Sequence, residues 1–113
     1  MKNSIVLILL VFLGWNTQAQ EKKNKNARYT VAVNGNCEQC KKRIEKAAFN
    51  VSGVKSAIWD VDSHELQLIV NEEKTTLLNV EKAVAKVGHD TKTVKATDKD
   101  YAGLHSCCLY ERE

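Results

Sequence analysis

The chain has 113 residues, of which 43% are hydrophobic and 27% are charged, and its formal net charge at pH 7 is +3. This length accommodates one small domain. Basic residues only slightly outnumber acidic ones and are interleaved with polar residues, which argues against nucleic acid as a partner.

The N-terminus has the pattern of a secretory signal peptide. Lys2 supplies a positive charge, residues 5–13 are an unbroken apolar run, and Thr17 and Ala19 are small residues before a cleavage site. The run is shorter than the about 20 residues of a membrane-spanning helix. We therefore expect residues 1–19 to be cleaved and the mature protein to be exported, without stable membrane insertion. It would be periplasmic in a Gram-negative bacterium and otherwise secreted; an uncleaved membrane anchor is the alternative.

A polar linker at 20–28 precedes the first predicted elements. Apolar residues alternate at 29–33 and predict a strand, and a CxxC pair, Cys37 and Cys40, follows it directly. The apolar residues of the next segment recur at the spacing of one helix face: Ile44, Ala47, Ala48 and Val51.

The second half of the domain predicts a hairpin, a helix and a weak last strand. Thr76 is a good N-cap for the helix, Gly88 is placed as its C-terminal stop, and residues 90–95 carry the β-propensity of the last strand. The apolar stripes of the two hairpin strands and the helix are Ala57, Trp59 and Val61, then Leu66, Leu68 and Val70, then Leu77, Val80, Val84 and Val87.

The predicted order βαββαβ is typical of an α+β ferredoxin-like sandwich. Its natural form is a four-stranded antiparallel sheet with both helices on one face. The domain would occupy residues 29–96, and residues 97–113 would form a Cys-containing C-terminal tail. The aromatic and leucine residues of this tail indicate that it packs on the domain, although it is too short and mixed to predict a regular element.

Residues 33–47 around the CxxC, Gly53-Val54 and Gly88-His89-Asp90 resemble the heavy-metal-associated (HMA) domain. This family includes copper chaperones, N-terminal domains of copper-transporting P-type ATPases and exported mercury-binding proteins. The resemblance covers about residues 29–96 and implies that Cys37 and Cys40 bind the metal. It also implies a membrane metal transporter or another metal-binding protein as the partner, with the protein itself a monomer or a metal-bridged dimer.

Two positions depart from the family pattern. Asn34, Gly35 and Asn36 stand where the family has Gly-Met-Thr/His, so the methionine that packs beneath the loop is absent. His89 aligns with a position near the metal that holds Tyr or Phe in many bacterial members and Lys in eukaryotic chaperones. It is a candidate third ligand or a hydrogen-bond donor to a ligand, with an exposed loop histidine as the alternative.

The chemistry of two thiolates favours Cu(I), which accepts two or three sulfur ligands, over zinc, which takes four ligands. The tail adds a second group of soft ligands: His105, Cys107 and Cys108. If the tail folds onto the loop, Zn, Cd, Hg or a Cu(I) cluster becomes a further candidate. A disulfide, between Cys107 and Cys108 or from the tail to the loop, is the alternative.

A thiol–disulfide oxidoreductase is the rival class for a CxxC after a strand. The βαββαβ order, the asparagine before Cys37 and the absence of proline from the sequence argue against it. A structural module stapled by oxidised cysteines is a further alternative. The prediction is a non-enzymatic, exported heavy-metal-binding protein, a Cu(I) carrier or scavenger that transfers its metal by thiolate exchange. Lys41 and Arg43 are expected to balance the negative charge of the loaded site.

Overall fold

The computed structural model describes residues 22–112. The predicted signal peptide, residues 1–19, lies outside the described residues, so cleavage and export stay predictions. Within residues 22–112, no helix combines the length and the apolar character needed to cross a membrane.

The chain order begins β–α–β–β–α, as predicted, and continues into two short elements in the C-terminal segment. The prediction that this segment holds no regular element is wrong, because Thr97 caps a short helix by accepting a hydrogen bond from the backbone N–H of Asp100. The elements are β1 Ala27–Ala32, α1 Glu38–Phe49, β2 Val54–Trp59, β3 Glu65–Val70, α2 Leu77–Lys86, α3 Asp98–Ala102 and a 3-10 turn at Ser106–Cys108.

The sheet has the strand order β1-β3-β2, with both neighbours antiparallel to the central strand β3. One face of β3 is buried, and it joins the buried positions of α1 and α2 in one hydrophobic core. Helix α1 packs against both β2 and α2. The buried residues of β3, α1 and α2 in this core are Leu66, Leu68 and Val70, then Cys40, Ile44 and Ala48, then Val80 and Val84.

Both predicted boundaries of α2 are confirmed by its caps. The Thr76 side chain accepts a hydrogen bond from the Asn79 backbone N–H at 3.2 Å. Gly88 has φ +104° just after the helix ends, a conformation in which a β-carbon is strained. These local signals are therefore sufficient to fix the length of α2.

The predicted fourth strand at 90–95 is wrong: the sheet of the described residues has three strands. This segment contributes to the described structure one isolated antiparallel bridge, between Val33 and Thr91. The Thr91 backbone N–H donates to the Val94 carbonyl at 2.8 Å, the Thr91 hydroxyl accepts from the Val94 backbone N–H at 3.1 Å, and the two hydrogen bonds close a tight turn. Hydrogen bonds from threonine side chains compete with a strand ladder, so the segment bends instead of extending along β1.

The buried side chain of Glu81 ties this turn to α2. Its Oε2 atom accepts hydrogen bonds from the Thr91 hydroxyl at 2.9 Å and from the hydroxyl and backbone N–H of Thr93 at 2.7 and 3.1 Å. A buried carboxyl group is tolerated because its oxygen has several donors. The turn places the preceding residues, His89 and Asp90, next to the C-terminal segment.

Candidate metal centre

The CxxC occupies the first turn of α1, as the sequence predicts. Cys37 is the N-cap residue of α1 and is half-buried, whereas Cys40 is completely buried. Their sulfur atoms lie 3.5 Å apart, and the backbone N–H of Asn36 points to the Cys40 sulfur at 3.3 Å. The N-terminus of a helix favours negative charge, so this position favours thiolate over thiol.

Trp59 supports the loop that carries the two cysteines. Its indole is fully buried, as predicted for a core aromatic, and its Nε1 atom donates to the Val33 carbonyl at 3.0 Å. The loop is packed closely: a β-carbon added at Gly35 would lie 3.0 Å from both the Trp59 ring and the Cys40 β-carbon. The loop therefore does not need the methionine of the family pattern, because Trp59 already packs against the loop.

The C-terminal segment brings its two cysteines to the CxxC. The 3-10 turn contacts α1, and the Cys37 sulfur lies 3.3 Å from that of Cys107 and 3.7 Å from that of Cys108. The ligand atoms of Cys37, Cys40 and Cys108 all lie within 4.8 Å of one another, and we call these three residues the thiol cluster. All four cysteines of the chain lie within the described range and are free thiols. Tertiary structure thus joins the two cysteine motifs at one place.

Hydrogen bonding and burial shift the pKa of Cys37 in the opposite direction from those of Cys107 and Cys108. Desolvation acts to raise the pKa of Cys37, but the hydrogen bond from the Cys40 backbone N–H and the hydrogen bonds with the thiols of Cys107, Cys40 and Cys108 outweigh it and lower the pKa from 9.0 to about 7. The pKa of Cys107 is raised by its hydrogen bond with Cys37 and by desolvation. The pKa of Cys108 is raised well above its usual range by burial and by hydrogen bonds to Cys40 and Cys37. Of Cys37, Cys107 and Cys108, Cys37 is therefore the one that loses its proton first in the metal-free site.

His89 is fully buried, so it is not an exposed loop histidine. Its Nδ1 atom lies 2.8 Å from the carbonyl oxygen of Asn34, at the start of the CxxC loop. Desolvation lowers the pKa of His89, and the positive charge of Arg43 lowers it further against the opposing effects of the Asn34 carbonyl and Asp90. Burial thus favours a neutral ring that braces the loop.

Neither histidine belongs to the thiol cluster, as far as residues 22–112 show. The Nε2 atom of His89 is buried and has no hydrogen-bond partner among those residues. His105 is exposed and lines an open groove with Gln39 and Arg43, while its carbonyl accepts from the Cys108 backbone N–H at 2.8 Å. Metal ligation by His89 or His105 stays a prediction.

Lys41, expected to balance the charge of the site, has specific partners of its own. Its ammonium donates to Glu45 Oε2 at 2.8 Å and to the Trp59 carbonyl at 2.7 Å. Its charge is therefore balanced by Glu45, and it fastens α1 to the end of β2. Arg43, the other expected cation, lines the groove beside His105.

Tyr110 anchors the C-terminal segment beyond the two cysteines. Its hydroxyl donates to the Gly88 carbonyl at 2.8 Å and accepts from the Asp90 backbone N–H at 2.8 Å. The ring is buried and stacks on His89 with a centroid separation of 5.7 Å. Burial raises the pKa of Tyr110 to about 12, so the hydroxyl stays protonated and keeps its donor role. The aromatic content of the tail indicates packing but does not identify this residue.

Arg112 also holds the C-terminal segment, through a bidentate ion pair with Asp90. Its Nε and Nη2 atoms each lie 2.9 Å from a carboxylate oxygen of Asp90, and Nη2 also donates to the Ala96 carbonyl at 2.7 Å. Asp90 is 5% exposed, and although burial acts to raise its pKa, the hydrogen bonds from Arg112 and Ala96 hold that pKa below its usual range. Nothing in the local pattern around either residue reveals a pairing across 22 positions.

A ferredoxin-like fold that presents a CxxC at the N-terminus of its first helix defines a soft-metal-binding domain. No protein-family model matches the chain. The copper chaperone CopZ of Staphylococcus epidermidis is 32% identical over 56 residues, which cover 50% of this chain and 82% of that protein. CopZ of Staphylococcus haemolyticus is 27% identical over the same length.

Solved structures of metal-binding domains share the fold. A CopZ metallochaperone has a TM-score of 0.56 at 24% identity, covering 57% of this chain and 98% of its own. Oxidised MerP from Ralstonia metallidurans CH34 has a TM-score of 0.52 at 23% identity, with 58% and 96% covered. The N-terminal domain of a potential copper-translocating P-type ATPase from Bacillus subtilis, solved in the Cu(I)-loaded state, has a TM-score of 0.57 at 23% identity, with 65% and 92% covered.

The chain belongs to the heavy-metal-associated family of the CopZ copper chaperones. The family resemblance of the CxxC segment is thereby confirmed. The relatives are metallochaperones and metal-binding domains and not enzymes, and the cysteines fit a heavy-metal-binding protein of the same kind.

The low pKa of Cys37 predicts selective alkylation of the reduced, metal-free protein. The rate of Cys37 modification by iodoacetamide should rise with pH around a midpoint of about 7, because the thiolate is the nucleophile. Below that midpoint the rate should fall about tenfold per pH unit as the thiolate becomes protonated. Peptide mapping by mass spectrometry after timed quenching measures this, with Cys107 as the internal control whose midpoint should lie above 9.0. A Cys37 midpoint near 9 would contradict the hydrogen-bonded network.

Because Tyr110 and Arg112 hold the C-terminal segment, we expect Arg112→Ala to loosen this segment without unfolding the domain. Losing the guanidinium leaves the buried Asp90 carboxylate without its charge partner and with the Ala96 backbone N–H as a remaining donor, so local opening should become easier by about 1–3 kcal/mol. Cys108, 0% exposed in the folded chain, should then react with N-ethylmaleimide about 10-fold faster or more. Arg112→Lys, which keeps the charge but loses the two-pronged geometry, should fall between. Glu111→Ala, an exposed neighbour, is the control, and equal labelling in R112A and E111A would refute the anchor.

Proposed function

We propose that this protein carries Cu(I) and that the thiol cluster is its binding site. The observation that carries the proposal is that three sulfur atoms, from Cys37, Cys40 and Cys108, lie within 4.8 Å of one another at a helix N-terminus. Soft thiolates in a two- or three-coordinate arrangement suit Cu(I), whereas structural zinc takes four ligands in a tetrahedron. The relatives named copper chaperones support the same metal.

The protonation pattern of the cluster suits reversible loading. Cys37 supplies a thiolate at neutral pH, and the more basic Cys108 loses its proton when the metal takes its place. Bonding of copper to Cys108 thus releases one proton from a thiol, whereas bonding to the Cys37 thiolate releases none. The helix N-terminus offsets part of the negative charge that accumulates around the ion.

Transfer would proceed by ligand exchange. A thiolate of the partner bonds to the under-coordinated Cu(I), a shared three-coordinate intermediate forms, and one sulfur of this protein leaves and takes up a proton. The copper stays in the same oxidation state, so no electron donor or acceptor is required. The partner would be a membrane metal transporter or another metal-binding protein, a choice supported by the fold shared with P-type ATPase domains.

A second candidate cargo is a soft divalent ion such as Hg, Cd or Zn. The Cys107 sulfur lies 3.3 Å from that of Cys37 and 3.9 Å from that of Cys108, so a fourth thiol stands beside the cluster. Four sulfurs complete the tetrahedron that zinc takes in structural sites. Titration of the cysteine variants with each metal distinguishes the two cargoes, because a four-coordinate divalent ion should require all four cysteines.

Cu(I) competition titration of the reduced protein under anaerobic conditions tests the proposed site. Against a chromophoric Cu(I) chelator, Cys37→Ser and Cys40→Ser should each weaken binding by about 100-fold or more, and Cys108→Ser by about 10-fold or more, because serine replaces a soft ligand by a hard one. Ser106→Ala, in the same turn as Cys108, should bind as the natural protein does. Copper retention that is equal in C37S and S106A would reject the site, and preferential retention of Cd or Zn would favour the second cargo.

Export is the second part of the proposal, and the pattern of residues 1–19 supports it. The protein recovered from the exported fraction should begin at Gln20, since small residues at Thr17 and Ala19 precede that position. Intact-mass measurement of the recovered protein checks this. An uncleaved N-terminus in the membrane fraction would instead identify a membrane anchor.

A further inference from the structure

We propose that Cys107 is the exchange thiol of this protein, the sulfur that first receives and last releases the metal, whereas Cys108 is a resident ligand. This inference rests on the proposed metal-carrying function and assigns different roles to the two adjacent cysteines. It concerns the path of the ion into a site whose other sulfurs are largely covered.

The first observation is the opposite exposure of the pair. Cys107 is exposed, whereas Cys108 and Cys40 are 0% exposed and Cys37 is half-buried. In the exchange, a donor protein or a small thiol and the first receiving sulfur of this protein must bond to the same copper ion, so that receiving sulfur must be reachable from solvent. Of the four cysteines, Cys107 is the most exposed and Cys37 is partly accessible, whereas Cys40 and Cys108 are covered by the fold.

The second observation is the continuity of sulfur contacts from the surface to the cluster. The Cys107 sulfur lies 3.3 Å from that of Cys37, which in turn lies 3.5 Å from that of Cys40 and 3.7 Å from that of Cys108. A metal ion bound at Cys107 can therefore bond to Cys37 before it leaves Cys107. No step of this path requires a free ion.

The third observation is that the Cys107 side chain is held in place although it is exposed. The turn that carries it contacts α1, and its thiol lies 3.5 Å from Gln39 Oε1 in the first turn of that helix. Tyr110 and Arg112 fix the backbone on the C-terminal side. An exposed but positioned thiol is suited to transient bonding, because its metal complex remains open to an incoming ligand.

The exchange conserves atoms, protons and charge. The Cys107 sulfur bonds to Cu(I) and releases its proton, while a departing donor thiolate takes up a proton. Cys37 then bonds through its thiolate, Cys40 bonds in turn, and Cys108 bonds as its thiol proton passes to solvent. Cys107 finally leaves the copper and regains a proton. Copper remains Cu(I) throughout, and release follows the same steps in reverse.

Stopped-flow uptake of copper from a Cu(I)–glutathione complex by the reduced full chain tests the assignment. Cys107→Ser should slow uptake by about 10-fold or more and slow release to a competing chelator by a similar factor, so the equilibrium affinity changes by less than about threefold. Cys108→Ser should show the opposite balance, a larger loss of affinity than of uptake rate. Ser106→Ala, an exposed neighbour, should match the natural protein in both measurements.

The possible outcomes separate this inference from the proposed function. Uptake by C107S at the rate of S106A would overturn the exchange role while leaving the metal-carrying function intact. An affinity loss in C107S as large as that in C108S would make Cys107 a resident ligand and would also overturn it. Failure of the natural protein to take copper from glutathione would reject both proposals. Thermal unfolding of C107S, expected to match that of S106A, verifies that the substitution at this exposed position leaves the fold intact.

Discussion

The docking of the C-terminal turn against the N-terminus of α1 is the contact on which the proposed site depends. It places the sulfurs of Cys107 and Cys108 within 3.3 and 3.7 Å of Cys37, across 70 and 71 positions of sequence. Sulfur contacts are too weak to hold such a segment alone. The position of the turn is secured by the hydroxyl of Tyr110 between Gly88 and Asp90, and by the ion pair of Arg112 with Asp90. Residues distant from the sulfurs thus determine how many ligands the site offers.

The same docking distributes charge among the four thiols. One thiolate surrounded by hydrogen-bond donors is less costly to bury than several thiolates, and the opposite pKa shifts of Cys37 and Cys108 express this difference. In the metal-free cluster, thiol protons therefore lie between the sulfur atoms, where a soft cation would bind. Metal binding and proton release are coupled in any such site.

Membership of the CopZ family defines the domain but leaves the C-terminal segment to be understood from its own contacts. The curated relatives match 50% of the chain. The loop cysteines are common to the family pattern, whereas burial of Cys108 and exposure of Cys107 are properties of this fold with this tail. In the proposed function, a third sulfur beside the CxxC would add a ligand to the two of the loop, and the exposed fourth sulfur would give an ion a path to them.

The sequence by itself determined the features that depend on neighbouring residues. Alternating apolar residues predict β1, β2 and β3, the i, i+3 and i+4 spacing predicts α1 and α2, and Thr76 and Gly88 mark the ends of α2. The position of the CxxC at a helix N-terminus follows from the same local signals. These predictions succeed because hydrogen bonds and side-chain periodicity within a helix or strand involve residues a few positions apart.

Tertiary structure alone decided the features that join distant residues. The hydrogen bonds of the Thr91 and Thr93 hydroxyls to Glu81 replace the predicted fourth strand by a turn. Burial of His89 and the different exposures of Cys107 and Cys108 follow from the packing of the C-terminal segment. The β-propensity of residues 90–95 and the composition of the tail are compatible with several positions of these two segments on the domain. The choice among them is made by long-range burial and ion pairing, which the local sequence pattern does not encode.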